Sequence, residues 1–178
     1  MSTALAPRTV LFLVPTLRGG GAERVIVTLL RHLDRARFRP ILAVVDLSGA
    51  VFRTDVPGDV EVIDLHSSRV RYALPRIACL IHSLRPDVVF STLGHLNLAL
   101  AILRPLMPNG PRYFARETTL VTQANAGHHR PKLWNWAYRR FYRRFDLVVC
   151  QSHAMYNDLV DHHGLPAAKC LVIHNPID

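Results

Sequence analysis

The stretch from Thr9 to Ile26, TVLFLVPTLRGGGAERVI, decides the fold of this chain. Its apolar run Val10 to Val14 is bounded by a proline, which is typical of a strand buried on both faces. The three glycines Gly19 to Gly21 then lead into a helical pattern. Because glycine has no Cβ, such a loop can come close to a ligand, and the first amides of the next helix suit a phosphate or sugar hydroxyls. The stretch predicts strand, glycine loop and helix, with a turn that binds nothing as the alternative.

Short apolar runs and amphipathic segments alternate along the rest of the chain. Strands are predicted at 10–14, 41–45, 60–65, 87–91, 112–116, 147–150 and 169–174. Helices are predicted after the glycine loop and at 72–84, 96–106, 132–145 and 153–162, whereas 120–130 is expected to be a loop. The first helix is expected to bury Val25, Ile26, Leu29, Leu30 and Leu33. This alternation predicts right-handed β-α-β units and therefore an α/β fold, a three-layer α/β/α Rossmann-like domain with a parallel sheet.

The composition describes a globular domain with excess positive charge. The 178 residues fit one domain or one lobe of a larger protein, and a hydrophobic content of 49% excludes disorder. Lysine and arginine number 22 against 13 aspartate and glutamate, and the net charge of +9 favours anionic partners. The apolar runs are too short for a membrane span or a signal peptide, so we expect a cytoplasmic protein. The cysteines Cys79, Cys150 and Cys170 lack metal-type spacing and are expected to be buried thiols.

Polar residues follow most of the predicted strands, where a doubly wound sheet binds its ligand. They are Asp46, Asp64 to His66, Ser91 to His95, Arg116 to Thr118, Gln151 to Ser152, and His174 to Asn175. Together with the glycine amides, these groups suit a polyhydroxyl or phosphorylated ligand. His95 is expected in a loop after the fourth strand, where it either contacts a ligand or is a structural histidine.

Three other kinds of site fit the sequence less well. Asp46 follows the second strand and could hold a ribose, but the glycine loop does not read G-x-G-x-x-G as a dinucleotide site requires. No Gly-Lys-Ser/Thr sequence supports a Walker loop. The histidines and cysteines lack the spacing of a metal site, so no metal is expected.

The predicted helix at 132–145 has two different faces. One face is apolar and carries Trp134, Ala137, Tyr138, Phe141 and Phe145. The other face carries Lys132, Trp136, Arg139, Arg140 and Arg143. A tryptophan within a cationic face fits an anionic lipid interface. The alternative is that Trp136 packs on a neighbouring element and the arginines are solvated.

The glycine loop resembles that of a known family. Gly20 to Val25, GGAERV, is similar to the loop in the N-terminal domain of family 4 glycosyltransferases, which are retaining GT-B enzymes. Three later stretches resemble the same family in the same order, and with the loop they span essentially the whole chain. They are Arg85 to Val89, Arg116 to Glu117, and Val172 to Asp178.

The resemblance implies that residues 1–178 are the acceptor-binding N-terminal half of a GT-B fold, ending at the interdomain linker. The catalytic C-terminal domain, which binds the donor, a UDP- or GDP-sugar, would lie outside this chain, so the chain alone is not expected to transfer sugar. No cofactor or metal is implied. Gly20, Gly21 and Glu23 match the family's loop, and the looser matches are Asn97 and Arg116, with Asn175 at the crossover, all assigned to acceptor or donor-phosphate binding. His95 and Glu117 are assigned to orienting the attacking hydroxyl.

The resemblance also implies a function at the inner face of the cell membrane. We expect transfer of a sugar to a glycan or lipid-linked acceptor in cell-surface polysaccharide synthesis. The helix at 132–145 would dock on anionic lipid. The chain would also contact its own C-terminal domain, and no nucleic-acid partner is expected. Two alternatives stay open: a basic nucleic-acid-binding module, and a stand-alone enzyme that binds a nucleotide or NAD.

Overall fold

Residues 6–175 are described by a computed structural model. In this range seven strands form one sheet in the order β3-β2-β1-β4-β5-β6-β7, and every pair is parallel. The strands are β1 Arg8–Val14, β2 Phe38–Val44, β3 Glu61–Asp64, β4 Val88–Thr92, β5 Arg112–Arg116, β6 Leu147–Cys150 and β7 Cys170–Val172. The predicted α/β fold with a parallel Rossmann-like sheet is confirmed.

Six α-helices connect these strands within the described range. They are α1 Gly21–His32, α2 Val70–Leu84, α3 Gly94–Leu103, α4 Val121–Ala126, α5 Pro131–Phe141 and α6 His153–Asn157. A π-turn at Asp158–His162 extends α6, so the predicted helix at 153–162 is regular only in its first half. Residues 142–144 likewise continue α5 as a 3-10 turn.

Two predictions about the elements around the sheet's carboxyl edge are wrong. Residues 120–130 are not all loop, because α4 lies inside them; its buried residues are Val121 and Asn125, which is too few to give a readable period. His95 lies in the first turn of α3 instead of a loop. The turn before it is made by Leu93, whose φ of +75° is rarely adopted by a side-chain-bearing residue.

The two faces of the sheet are covered unequally. One face packs against α2, α3, α5 and α6 through a large core that includes Leu11, Val89 and Tyr113. On the other face α1 covers β1 and β2 with Ile26, Val27 and Leu30. The predicted apolar stripe of α1 is therefore wrong at Leu29, which is 36% exposed.

Strands β6 and β7 carry no helix on the α1 side among residues 6–175. Leu171 is 45% exposed and Ile173 is 52% exposed. We call Leu29, Leu171 and Ile173 the uncovered strip.

Two of the three cysteines, Cys150 and Cys170, are buried as predicted. Cys79 lies on the outer side of α2 and is exposed.

Candidate functional site

The glycine loop is closed by a carboxylate of the chain itself. Glu23, which is 5% exposed, accepts hydrogen bonds through Oε2 from the amides of Gly19 and Gly20 and through Oε1 from the Thr16 hydroxyl. Gly20 is the N-cap of α1 and Glu23 is three residues later, so Glu23 makes the half of a capping box in which the N3 carboxylate accepts from the N-cap amide. Of the two amides expected to bind phosphate or a hydroxyl group, those of Gly20 and Gly21, the Gly20 amide is therefore already bonded within the chain.

The three positions of this loop differ in why glycine occupies them. Gly19 has a φ of +112°, which favours glycine. A Cβ on Gly20 would lie 2.9 Å from Glu23 Oε2, so a side chain there would displace the cap. Gly21 has open space around its Cα. A side chain at position 20 would therefore disturb Glu23, whereas one at position 21 would not.

A cavity of about 260 Å³ opens beside the loop, at the carboxyl ends of β1 and β2. We call it the charged cavity, and it is lined by Pro15, Thr16, Arg18, Val45, Asp46, Ser68, Arg69, Val70 and His95. Arg18 pairs with Asp46 at 2.5 Å. Hydrogen bonds from Ser48, with a smaller contribution from Arg18, lower the pKa of Asp46. The aspartate considered for a ribose is thus already paired within the chain.

A second cavity, of about 240 Å³, lies at the carboxyl end of β5 among α3, α4 and α5. We call it the neutral cavity. It is lined by Leu93, Gly94, His95, Glu117, Thr118, Thr119, Val121, Ala124, Asn125, His128, Trp134 and Tyr138. His95 borders both cavities, and desolvation lowers the pKa of its imidazole. The ring is therefore neutral at pH 7 and can accept a hydrogen bond from a hydroxyl.

Glu117 is buried beneath the neutral cavity, with 1% of its surface exposed. Its Oε1 accepts hydrogen bonds from the Tyr142 hydroxyl and, at 3.0 Å, from Asn97 Nδ2. Desolvation raises the pKa of Glu117 to about 7, although both hydrogen bonds favour the charged form. Burial, with the nearby glutamate, raises the pKa of Tyr142 well above its ordinary value, so that its hydroxyl stays a donor. Glu117 is a carboxyl group that can hold or release a proton near neutral pH.

Gly94 allows α3 to approach this carboxyl group. A Cβ on Gly94 would lie 2.5 Å from the Tyr138 hydroxyl oxygen and 3.4 Å from Glu117 Oε2. The first distance is shorter than an ordinary Cβ contact, so a larger residue at position 94 would force the Tyr138 side chain or the first turn of α3 to shift. The strained Leu93 immediately before it costs on the order of 1–3 kcal/mol, which is a common feature of functional sites.

Arg116 and Glu117 were expected to act in one site, but their side chains lie on opposite faces of β5. Arg116 Nη2 donates to Asn175 Oδ1 at 2.7 Å, and Nη1 donates to Thr92 Oγ1 at 3.3 Å. Burial lowers the pKa of Arg116 to about 10. Successive strand residues point to opposite faces, which accounts for the separation.

Gln151 connects Arg116's side of the sheet to Glu117. Its Oε1 accepts from Asn175 Nδ2 at 2.8 Å, and its Nε2 donates to the main-chain oxygen of Glu117 at 2.8 Å. The sequence placed Gln151 at a strand end but gave it no role. Asn97 has no exposed surface and donates through Nδ2 to Glu117 Oε1 and to the Arg116 main-chain oxygen, so it helps to hold Glu117 in place.

The face of α5 expected to contact a membrane is divided. Trp136 is 54% exposed, and Lys132 and Arg140 are also exposed. Arg139 and Arg143 donate to the carbonyl oxygens of His162 and Gly164, at 3.0 and 2.9 Å. These two arginines therefore hold the end of the π-turn in place. The other three residues of the predicted face, Lys132, Trp136 and Arg140, do not have this structural role. Within residues 6–175, the helices are all too short or too polar to cross a bilayer.

The chain is similar to glycosyltransferases in sequence and in fold. The sequence profile described as Glycosyltransferase Family 4 matches residues 19–178. No curated protein matches the chain at a significant level. A glycosyltransferase from Rickettsia africae has 17% identity and a TM-score of 0.70, over 98% of this chain and 44% of that one.

Two further structures share the fold. Anabaena HepE in complex with UDP-glucose has 17% identity and a TM-score of 0.67, over 96% of this chain and 44% of that one. The lipopolysaccharide outer core galactosyltransferase WaaB has 12% identity and a TM-score of 0.66, over 96% of this chain and 46% of that one. The chain thus spans less than half the length of these proteins.

Proposed function

Because the chain belongs to glycosyltransferase family 4, we propose that it is the acceptor-binding half of a retaining hexosyltransferase. The enzyme transfers a sugar from a UDP- or GDP-sugar to a glycan or lipid-linked acceptor in cell-surface polysaccharide synthesis. The UDP-glucose bound by Anabaena HepE supports a nucleotide-sugar donor, and the activity named for WaaB supports a cell-surface product. The donor site is assigned to a second domain.

One observation carries the acceptor assignment: a buried carboxyl group and a neutral imidazole border the same cavity at the carboxyl edge of the sheet. In the proposed mechanism, His95 accepts a hydrogen bond from the attacking hydroxyl of the acceptor. Glu117 orients a neighbouring hydroxyl group. Both actions lower the barrier by positioning the nucleophile, which is worth several kcal/mol when the geometry is correct.

The other predicted residues receive roles that fit their contacts. Glu23 and Gly20 fix the shape of the glycine loop, and Gly21 is the point at which donor phosphate or acceptor approaches. Asn97 positions Glu117. Arg116 and Asn175 hold the segment after β7 against the sheet, and through it they fix where the chain leaves this domain.

The test of this function uses the full-length enzyme. UDP-glucose, UDP-galactose and GDP-mannose are supplied with a glycolipid extract, and release of UDP or GDP is measured. His95→Ala is expected to lower kcat by about 10²–10⁴-fold, the range typical of a lost general acid or base. His32→Ala, which changes an exposed histidine at the end of α1, serves as the matched control. Equal turnover by the two variants would contradict the role of His95.

We further propose that the enzyme is peripheral on the inner face of the cell membrane and that Lys132, Trp136 and Arg140 contact anionic lipid. Each cation near such a surface contributes roughly 1 kcal/mol. Co-sedimentation with anionic and neutral vesicles tests the proposal, with Trp136→Ala plus Arg140→Ala expected to abolish binding to the anionic vesicles. Arg53→Ala removes an exposed charge elsewhere and is the control. Binding to oligonucleotides with a steep salt dependence, without binding to lipid, would favour the nucleic-acid alternative.

A further inference from the structure

The neutral cavity has a built polar floor. Both side-chain hydrogen bonds of Glu117 go to Oε1, whereas Oε2 lies on the Gly94 side of the cavity and accepts no hydrogen bond from the described residues. This oxygen faces the cavity, so a hydrogen-bond donor of a ligand can reach it. A hydroxyl group of a ligand in this cavity would supply the missing partner.

The lining of the cavity selects against charge. Over the part of the chain that is described, it contains no lysine, arginine or aspartate, and Glu117 is its one acid. Desolvating a charged ligand without a counter-charge is costly. The adjoining charged cavity differs, because Arg18, Asp46 and Arg69 line it. The two cavities therefore suit different parts of a ligand, and His95 lies between them.

The walls combine polar and flat apolar surfaces. Thr118, Thr119 and Asn125 offer hydroxyl and amide groups. Trp134 stacks on His128 with ring centroids 4.3 Å apart and an angle of 14° between the planes, which makes a preformed aromatic wall. A sugar ring presents the same combination of hydroxyl groups and apolar C–H faces. The volume of about 240 Å³ lies below the roughly 300–1,000 Å³ of pockets for drug-sized ligands, so one ring fits and an oligosaccharide does not.

We propose that the neutral cavity binds a single uncharged sugar ring, the terminal residue of the acceptor, with one ring hydroxyl on Glu117 Oε2. This rests on the proposed function, and it narrows the acceptor to a neutral hexose instead of a uronic acid. Selectivity comes from the lining: a carboxylate on the ring would enter a cavity that offers it no lysine or arginine and one buried acid.

Binding of simple glycosides to the chain tests the cavity without any donor. The probes are methyl α-glucoside, methyl α-galactoside, methyl α-mannoside and glucuronate, observed by saturation-transfer NMR. At least one neutral glycoside is expected to bind with a dissociation constant on the order of millimolar, and glucuronate about tenfold more weakly. Failure of all three neutral glycosides to bind, or equal binding of glucuronate, would overturn the inference.

Two substitutions on α4 localise the binding. Ala124→Phe places a ring in the cavity, whereas Ala126→Phe adds the same ring to an exposed position of α4 that does not line it. The first is expected to weaken glycoside binding at least about tenfold and the second less than about twofold. Equal effects of the two would overturn the inference.

A transfer assay on the full-length enzyme separates this inference from the proposed function. Unchanged transfer in Ala124→Phe would show that the acceptor binds elsewhere, and it would overturn the inference while leaving the glycosyltransferase assignment intact. Loss of glycoside binding in Ala124→Phe, together with no transfer by the wild-type enzyme from any donor, would support the cavity as a sugar site and contradict the proposed function.

Discussion

Glu23 and Glu117 are both buried at the carboxyl edge of the sheet, yet they do different things. Both oxygens of Glu23 are occupied, by two main-chain amides and a hydroxyl, at sequence separations of 3, 4 and 7. Glu117 has one oxygen occupied, by side chains 20 and 25 residues away, and the other lies towards the Gly94 side of a cavity. Burial alone therefore does not identify a carboxylate that can act on a ligand. A carboxylate oxygen that has no hydrogen-bond partner and faces a cavity does identify one.

The largest expected effect is on the pH dependence of folding. The pKa of Glu117 is raised from 4.5 in the unfolded chain to about 7 in the fold. The fold therefore binds this proton more tightly, and the contribution of Glu117 to stability is greatest below pH 4.5 and falls as pH rises towards 7. The slope is about 1.4 kcal/mol per pH unit. Urea unfolding followed by circular dichroism from pH 4.5 to 8 should show this slope in the difference between wild type and Glu117→Gln, because the lowered pKa values of His95 and His163 contribute an opposite slope to both curves.

Glu117→Gln is expected to remove most of that slope, because the amide does not titrate. Glu61→Gln changes an exposed acid on β3 and should leave the slope as it is. If the curves for wild type and Glu117→Gln run parallel, Glu117 titrates alike in both states, and the contrast with Glu23 loses its chemical basis.

Gly94→Ala is expected to destabilise the fold by about 1–3 kcal/mol, the usual cost of overpacking. The added methyl group would meet the Tyr138 hydroxyl, so Tyr138→Phe should recover much of the loss in the double variant. A double-mutant cycle measured by thermal unfolding gives the coupling. Gly110→Ala, where a Cβ meets open space, is the control. Additive effects of Gly94→Ala and Tyr138→Phe would show that this contact is absent.

Glu23→Ala is expected to cost about 1–2 kcal/mol, as for a lost helix cap, since the amides of Gly19 and Gly20 lose their acceptor. Chemical denaturation measures the loss, and Glu23→Gln should fall between alanine and wild type because one amide oxygen remains. If Glu23 is only a helix cap, unlike Glu117, sugar transfer by the proposed full-length enzyme should fall in Glu23→Ala only because less of the enzyme is folded. Loss of transfer in a variant that stays stable would show that Glu23 acts on a ligand directly.

Asn175→Ala is expected to give the smallest effect, about 0.5–1.5 kcal/mol, typical of one hydrogen-bond partner. Arg116 loses its 2.7 Å acceptor, and the segment after β7 should lose protection in amide hydrogen exchange at residues 173–175. Asn109→Ala, in an exposed turn, should change neither quantity. Unchanged protection in Asn175→Ala would show that Arg116 does not hold this segment.

Much of the fold could be predicted because buried parallel strands have continuous apolar sequences. Each of the seven predicted strands overlaps an observed one, and β5 and β6 match at both ends. The helix start at Gly94 could not be read, since it depends on the backbone of Leu93. The last three residues of the Asn-Pro-Ile-Asp stretch lie outside the described residues.

The site could be predicted in part. His95 and Glu117 follow neighbouring strands, and the carboxyl ends of parallel strands meet at one edge, so their shared cavity follows from topology. The opposite directions of Arg116 and Glu117 were also readable, from the two-residue period of β5. The contact between Tyr142 and Glu117 was not, because it depends on how α5 docks 25 residues later. Glu23 as a cap was readable from its spacing after Gly20, a signal that the resemblance to a phosphate-binding loop obscured.

The uncovered strip has a consequence for handling the chain in the laboratory. Leu171 lies on β7, an edge strand whose open backbone groups adjoin apolar side chains in water. Edges of this kind pair between molecules and aggregate. At the concentrations needed for NMR or crystals, we expect turbidity that grows with salt. Leu171→Lys and Ile173→Lys should keep solutions clear without altering either cavity, because neither residue lines them.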